Sequence, residues 1–369
     1  MELKLTYPDN KKVEGDGIMK KRLLVMLTAS LVLSSVSVAM GAEEGSSKEI
    51  KIDGSIYTQW RTQRDSHFSD SSPDKTRAGF KALLTLNINA PLTDNLDVYG
   101  RMTYERLRNR WGMFMADYVN SSSRENAAID AYGLNYKNAG YTYTLGKQYL
   151  ALGQGLIYDN VGNIGRYTAP YALNISGKVG VTDVVLTAFK TDYQNKESND
   201  NIYAVQGSYD LNPKTNVGAL VAHASYGDST VSKHQLPKKS VNYYSLFGSY
   251  KLSDKADISS EYSKASAQSD DMGFQAYISY KLDKKNSLGL GYYYIEDQAN
   301  IMEYNNAGMT TGLANNAKGY LVSFKHKVDK DITFTVADFY FKKINDTSVG
   351  DNAPTNNRNR FYTTMTVKF

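Results

Sequence analysis

Apolar and polar residues alternate with a period of two over the last ten residues of the chain, Arg360 to Phe369. Phe361, Thr363, Met365, Val367 and Phe369 share one face; Arg360, Tyr362, Thr364, Thr366 and Lys368 share the other. Successive side chains of a β-strand point to opposite faces, so the pattern predicts a strand with one oily and one polar side. About ten residues are enough for a tilted strand to cross a bilayer. Chain ends are usually polar and frayed, whereas this one alternates up to a terminal aromatic residue.

The same rule governs the rest. Ile50, Ile52, Ile56, Thr58 and Trp60 oppose Lys51, Asp53, Ser55, Tyr57, Gln59 and Arg61. After a polar loop over 64–76, Phe80, Ala82, Leu84, Leu86, Ile88 and Ala90 alternate with Lys81, Thr85, Asn87 and Asn89. A turn at 91–95 leads to Leu96, Val98, Gly100, Met102 and Tyr104, set against Asp97, Tyr99, Arg101, Thr103 and Glu105. Residues 109–126, with Trp111 to Met115, are expected to be locally helical. Further strands are expected at 127–137, 141–149, 171–178, 182–193, 201–210, 216–226, 240–252, 256–266, 272–282, 287–297, 318–328, 331–344 and 359–369. Short turns alternate with longer loops, the rhythm of an up-and-down meander. The total is about sixteen strands. An even number leaves both chain ends on one side, so the first and last strands can pair. The expected fold is therefore all-β: a transmembrane antiparallel up-and-down β-barrel. A soluble β-sandwich or β-helix also alternates, but with shorter strands and a narrow core.

Composition agrees. Mean hydropathy is −0.49, and one continuous apolar run exists, Leu23 to Met40, after Lys20, Lys21 and Arg22. With small residues at Ala39, Gly41 and Ala42, it reads as a secretory signal peptide over 19–42. Residues 1–18 are polar and patternless, an upstream extension ahead of Met19; the barrel is assigned to 43–369. There are 30 tyrosines and no cysteines. An aromatic ring with a wet hydroxyl suits a membrane–water boundary, and a closed ladder replaces disulfides as a source of stability. The net charge of +5 falls to +3 once residues 1–42 are set aside. No concentrated basic patch suggests nucleic-acid binding.

His67, His223, His234 and His326 show no metal-ligand spacing, so no zinc site is expected. No nucleotide loop or serine elbow is present. Catalytic, cofactor and metal residues are accordingly expected to be none. His223 and His326 lie in strands, which keeps a hydrolase with Ser and His on the outer wall as a minor reading. The Asp- and Asn-rich segments 298–317 and 345–357 read as solvated loops rather than calcium sites.

From Lys48 to Phe369 the chain resembles the Gram-negative outer-membrane porin superfamily, the sixteen-stranded general diffusion type. The strand–turn rhythm, the terminal Phe369, and Leu145 to Tyr149 followed by Leu152 to Asp159 carry the resemblance. It implies a third loop, after the fifth strand, folded into the barrel as a constriction. It also implies a homotrimer in outer-membrane lipid, Phe369 as part of the signal read by the insertion machinery, and passage of small hydrophilic solutes. The pore constriction implied is Asp159 on the loop facing Arg61, Lys81 and Arg101 on the polar register of the first strands. Arg360 would adjoin Arg61 across the seam, and Arg166 lies on the loop. Opposite charges across a narrow waist focus a transverse field. A single acid in the loop leans selectivity toward anions or neutral solutes.

The loop glycines also fit a flexible external loop, yet Leu156, Ile157 and Val161 need apolar contacts that an inward fold would supply. A passive porin is the expected function. The alternative is a barrel acting as adhesin or structural tether, with little conductance. The short spacer before the first strand speaks against it.

Overall fold

The computed structural model describes residues 49–66, 75–108, 123–161, 169–193, 196–234, 236–301, 315–345 and 357–369. In chain order the strands are β1 (Lys51–Ser66), β2 (Lys75–Pro91), β3 (Leu96–Arg108), β4 (Ser123–Asn138), β5 (Tyr141–Lys147), β6 (Ala151–Leu152), β7 (Tyr158–Asp159), β8 (Tyr171–Val179) and β9 (Thr182–Tyr193). They continue as β10 (Lys196–Asn212), β11 (Thr215–Ser225), β12 (Ser240–Lys251), β13 (Ala256–Ala265), β14 (Met272–Lys281), β15 (Asn286–Ile295), β16 (Ala317–Lys327), β17 (Ile332–Lys343) and β18 (Asn357–Lys368). Sixteen of them close into one antiparallel barrel; β6 and β7 form a separate two-stranded hairpin. Sequence neighbours pair throughout, except that β5 pairs with β8 past the hairpin and β18 closes on β1.

Alternation decides which face is which. On β1 Gln59, Arg61 and Gln63 are buried, while Ile56 and Trp60 between and below them are exposed. The same division holds around the wall. Ile52, Leu134, Leu186, Val205, Leu246 and Leu290 are exposed, whereas Lys81, Glu105, Ser245, Glu261 and Gln275 are buried. Large apolar side chains on the outside and polar ones inside is the reverse of a soluble barrel and the rule for one surrounded by lipid. Closure matters for the same reason, since an open sheet edge would leave backbone groups unpaired. Trp60 and Phe361, on adjacent strands, meet edge to face with centroids 6.3 Å apart on the outer surface.

Every expected strand is present, with local corrections. The first loop is shorter than expected, because cross-strand pairing continues to Ser66 and resumes at Lys75. Of the expected helical segment, Ser123 to Asn126 are strand, paired with β3; the rest lies outside the described residues. The turn expected at Val179 and Gly180 falls one residue later, on Gly180 and Val181. A short helix, Asp228–His234, occupies the loop after β11. In β4 a register shift opposite Arg101 and Met102 inserts one residue, Asp130. A bulge of this kind turns the chain's parity over: Ile129 and Tyr132 are exposed, and Asp130 and Ala131 between them are both buried.

Candidate functional site in the barrel interior

The segment after β5 makes its contacts with the inward register of strands far round the wall. The peptide N–H groups of Gln154 and Leu156 each donate to Glu261 Oε2 at 2.9 Å. Ser245 Oγ donates to Glu261 Oε1 at 2.6 Å, and Gln275 Nε2 to Oε2 at 3.3 Å. Gly153 N donates to Gln206 Oε1, and Gln154 Nε2 to the Gly248 carbonyl, both at 2.9 Å. Glu261 lies on β13, six strands from β5 in the barrel order. Gly153 has φ +64°, where a Cβ would be strained and would also run into the Glu261 carboxylate.

Apolar packing follows the same path. Leu152, Ile157 and Tyr158 pack with Phe189, Ile202, Leu220 and Tyr243 from β9 to β12. Leu156 packs with Tyr293, Phe339, Phe341 and Tyr362 from β15, β17 and β18. Leu156, Ile157 and Tyr158 are 0% exposed. Such partners are expected from the sequence for Leu156 and Ile157; Val161, expected to share them, is instead exposed at 44%. Asn160 ties off the hairpin: its side chain accepts from Leu150 N at 2.8 Å, and its own N–H donates back to the Leu150 carbonyl at 3.1 Å.

The predicted basic residues divide into two groups. Arg61 and Arg360 are buried side by side on the inward face of the seam, in the diagonal of the pairs Arg61 with Tyr362 and Gln63 with Arg360. Arg360 Nε donates to Gln63 Oε1 at 2.9 Å and Nη1 to Tyr362 Oη at 3.1 Å. Both guanidinium carbons stand 6.0 Å from the Tyr362 ring centroid, and that of Arg360 also lies 5.6 Å from the Phe341 ring. Arg358 completes this group at 1% exposure. Its even parity with Arg360 was readable in the sequence, once the strand is allowed to start at Asn357 rather than 359. Lys81 is one row away, buried and ion-paired to Glu105 at 2.9 Å.

Arg101 stands apart. It pairs with Asn87, six residues along β2 from Lys81, which is roughly 20 Å at strand rise. Its Nε meets Asp130 Oδ1 at 2.9 Å, and its guanidinium stacks 4.5 Å from the Tyr149 ring. The acid that holds it arrives through the β4 bulge, a feature with no sequence signal.

Asp159 lies in the hairpin opposite Ala151. Burial raises its carboxyl above its ordinary value of 3.8, and the Val161 N–H bound to its Oδ1 opposes that shift. Arg166 lies outside the described residues. His223 and His326 both point to the outer register, each with Nδ1 2.7 Å from an asparagine Oδ1, of Asn242 and Asn286 respectively. Ser240 Oγ stands 3.5 Å from His223 Nε2, at the limit of a hydrogen bond. Among the described residues no cluster of three His, Cys, Asp or Glu side chains could hold a metal ion.

No family model matches the chain, and no curated protein sequence matches it. Solved structures do. A double-substitution variant of Rh. blastica porin superposes with a TM-score of 0.53 and 9% identity, covering 87% of this chain and 100% of that one. A triple variant of Rhodopseudomonas blastica porin gives 0.53 and 9% over the same shares. A structure described as showing asymmetric conductivity of engineered proteins gives 0.52 and 10%, again over 87% and 100%. At such identity the likeness is one of architecture, and it extends through the whole wall. The chain has the closed sixteen-stranded antiparallel barrel fold of the Rh. blastica porin.

Proposed function

We propose that this chain is a porin of the bacterial outer membrane, through which small hydrophilic solutes and ions diffuse passively down a water-filled lumen. The observation that carries the reading is the division of the wall: sixteen closed strands, apolar outside, charged and amide side chains inside. Barrels of about sixteen strands are too wide for side chains to fill and leave an aqueous channel. The hairpin latched to Glu261 supports an inward-folded third loop that narrows this lumen. The basic group of Arg61, Arg358, Arg360 and Lys81 lines part of the wall, and Asp159 supplies the acid on the loop. The seam arginines and Lys81 together give this wall its basic character, which favours anions or neutral solutes. A homotrimer, and recognition of Phe369 by the insertion machinery, belong to the same reading.

Planar-bilayer recording of the purified, folded barrel tests it. Discrete conductance steps in KCl are expected, with a reversal potential of anionic sign under a salt gradient. A folded barrel that gives no steps overturns the porin reading in favour of an adhesin or tether, and cation preference overturns the selectivity.

A further inference from the structure

We propose that the lumen wall built by β1, β2 and β3, towards the end with the short turns, holds a binding subsite for a neutral polyol of monosaccharide size. The proposal rests on the porin reading and adds a saturable step to it. A cleft of about 290 Å³ opens there, below the basic group of the seam. Strand pairing sets its lining in two straight rows. Lys51, Asn89 and Tyr99 face one another across the three strands, and Asp53, Asn87 and Arg101 form the next row. All six fall on the inward parity. Neighbouring strands stand about 4.8 Å apart and successive inward rows about 6.8 Å apart. The result is a small grid of polar groups lining one side of the cleft.

The grid is held in place. Asn87 Nδ2 donates to Asp53 Oδ1 at 2.7 Å, and Tyr99 Oη to the Lys147 carbonyl at 3.4 Å. Arg101 is clamped between Asp130 and the ring of Tyr149, whose Oη donates to Asp130 Oδ2 at 3.1 Å. Preorganised groups lose little freedom on binding. Charge points to a neutral ligand: Lys51 and Arg101 are balanced by Asp53 and Asp130, leaving no net Coulomb preference. Hydrogen-bonding capacity points to hydroxyls. Each alcohol both donates and accepts, and amides, a phenol, a carboxylate and cations in one cleft meet both needs. Size sets the limit, since 290 Å³ is about ten waters at their liquid volume, room for one hexose ring.

The test is ion-current analysis of the full barrel in KCl with glucose added on one side. Glucose is expected to reduce the current saturably, and Asn87→Ala with Asn89→Ala to weaken half-saturation about tenfold or more. The variant's own KCl steps report whether its barrel has folded; single substitutions at the same positions serve if the pair has not. A glucose effect that stays linear with concentration, or that the folded variants leave unchanged, overturns the subsite while the porin reading stands. A stronger saturable effect of glycine, a zwitterion, overturns the polyol class. Absence of KCl steps in the wild-type protein overturns the porin reading itself.

Discussion

Gly54 and Phe369 exchange both backbone hydrogen bonds, Gly54 N to the Phe369 carbonyl at 2.9 Å and Phe369 N back to Gly54 at 3.1 Å. The terminal residue therefore does more than end an oily strand. A Cβ on Gly54 would stand 2.6 Å from the Thr85 carbonyl oxygen and 2.7 Å from the Phe369 ring. The missing side chain on β1 is the notch into which the last aromatic ring fits, on the outer face. Gly54→Val should lower the folded fraction of barrel, seen as loss of the fast-migrating band in unheated gels. Phe369→Ala added to it should recover part of that loss, because only the ring clash is relieved. Wild-type yields from Gly54→Val would refute this account of the seam.

Glu261 is the latch for the hairpin. Its carboxylate accepts from two loop peptides and two wall side chains. Glu261→Ala leaves the Gln154 and Leu156 N–H groups without that acceptor, at about 1–3 kcal/mol each. The expected result is a noisier open channel with altered conductance, in a barrel that still closes. Single-channel traces indistinguishable from wild type would show that the loop is held some other way.

Lys81 and Glu105 form a pair with both side chains nearly fully buried, 7% and 0% exposed. Breaking such a pair by removing one partner costs about 3–5 kcal/mol, since the other charge stays buried. Lys81→Met should therefore lower the denaturant midpoint of unfolding from lipid or detergent. Lys81→Met combined with Glu105→Leu should return most of it. A double variant as unstable as the single one would contradict the pairing.

Asp159 has its carboxyl raised by burial, so protonation sets in above the ordinary 3.8 as pH falls. The sign follows from the folded state preferring the neutral form. The hairpin gains stability on acidification and loses it as pH rises through the raised value. The loop's one acid is then silenced at a higher pH than an ordinary carboxylate would be. Reversal potentials should turn more anionic over that window, and Asp159→Asn should abolish the change. An unaltered pH profile in Asp159→Asn would assign the titration to another group.

The wall was legible because period-two alternation is written into every strand by the need to face lipid on one side and water on the other. Strands such as 272–282 and 287–297 announced themselves through Phe274, Tyr292 and their neighbours with only end-residue errors. What stayed hidden depends on pairing partners. Nothing around Ile129 and Asp130 reveals that β3 offers one residue fewer than β4, so the bulge and the clamp on Arg101 could not be foreseen. The β6–β7 hairpin is held mainly by contacts to strands many residues away, and its four strand residues are too few to show a period. Arg61, Lys81, Arg101 and Arg360 lie on the inward parity. Their height in the barrel was not available, because height depends on register, which put Arg101 far from Lys81.

The seam joins residues almost a whole chain apart: Arg360 and Gln63, hydrogen-bonded to each other, are separated by 297 positions. Bringing such distant ends together carries a length-dependent entropy cost of about 5 kcal/mol, before any hydrogen bond returns it. Every other strand pair of the wall is far more local, apart from the detour around the hairpin. The order of folding follows. Hairpins can zip as the chain becomes available, but the ring cannot close until β18 is there to meet β1, and that pairing carries the largest closure cost in the wall.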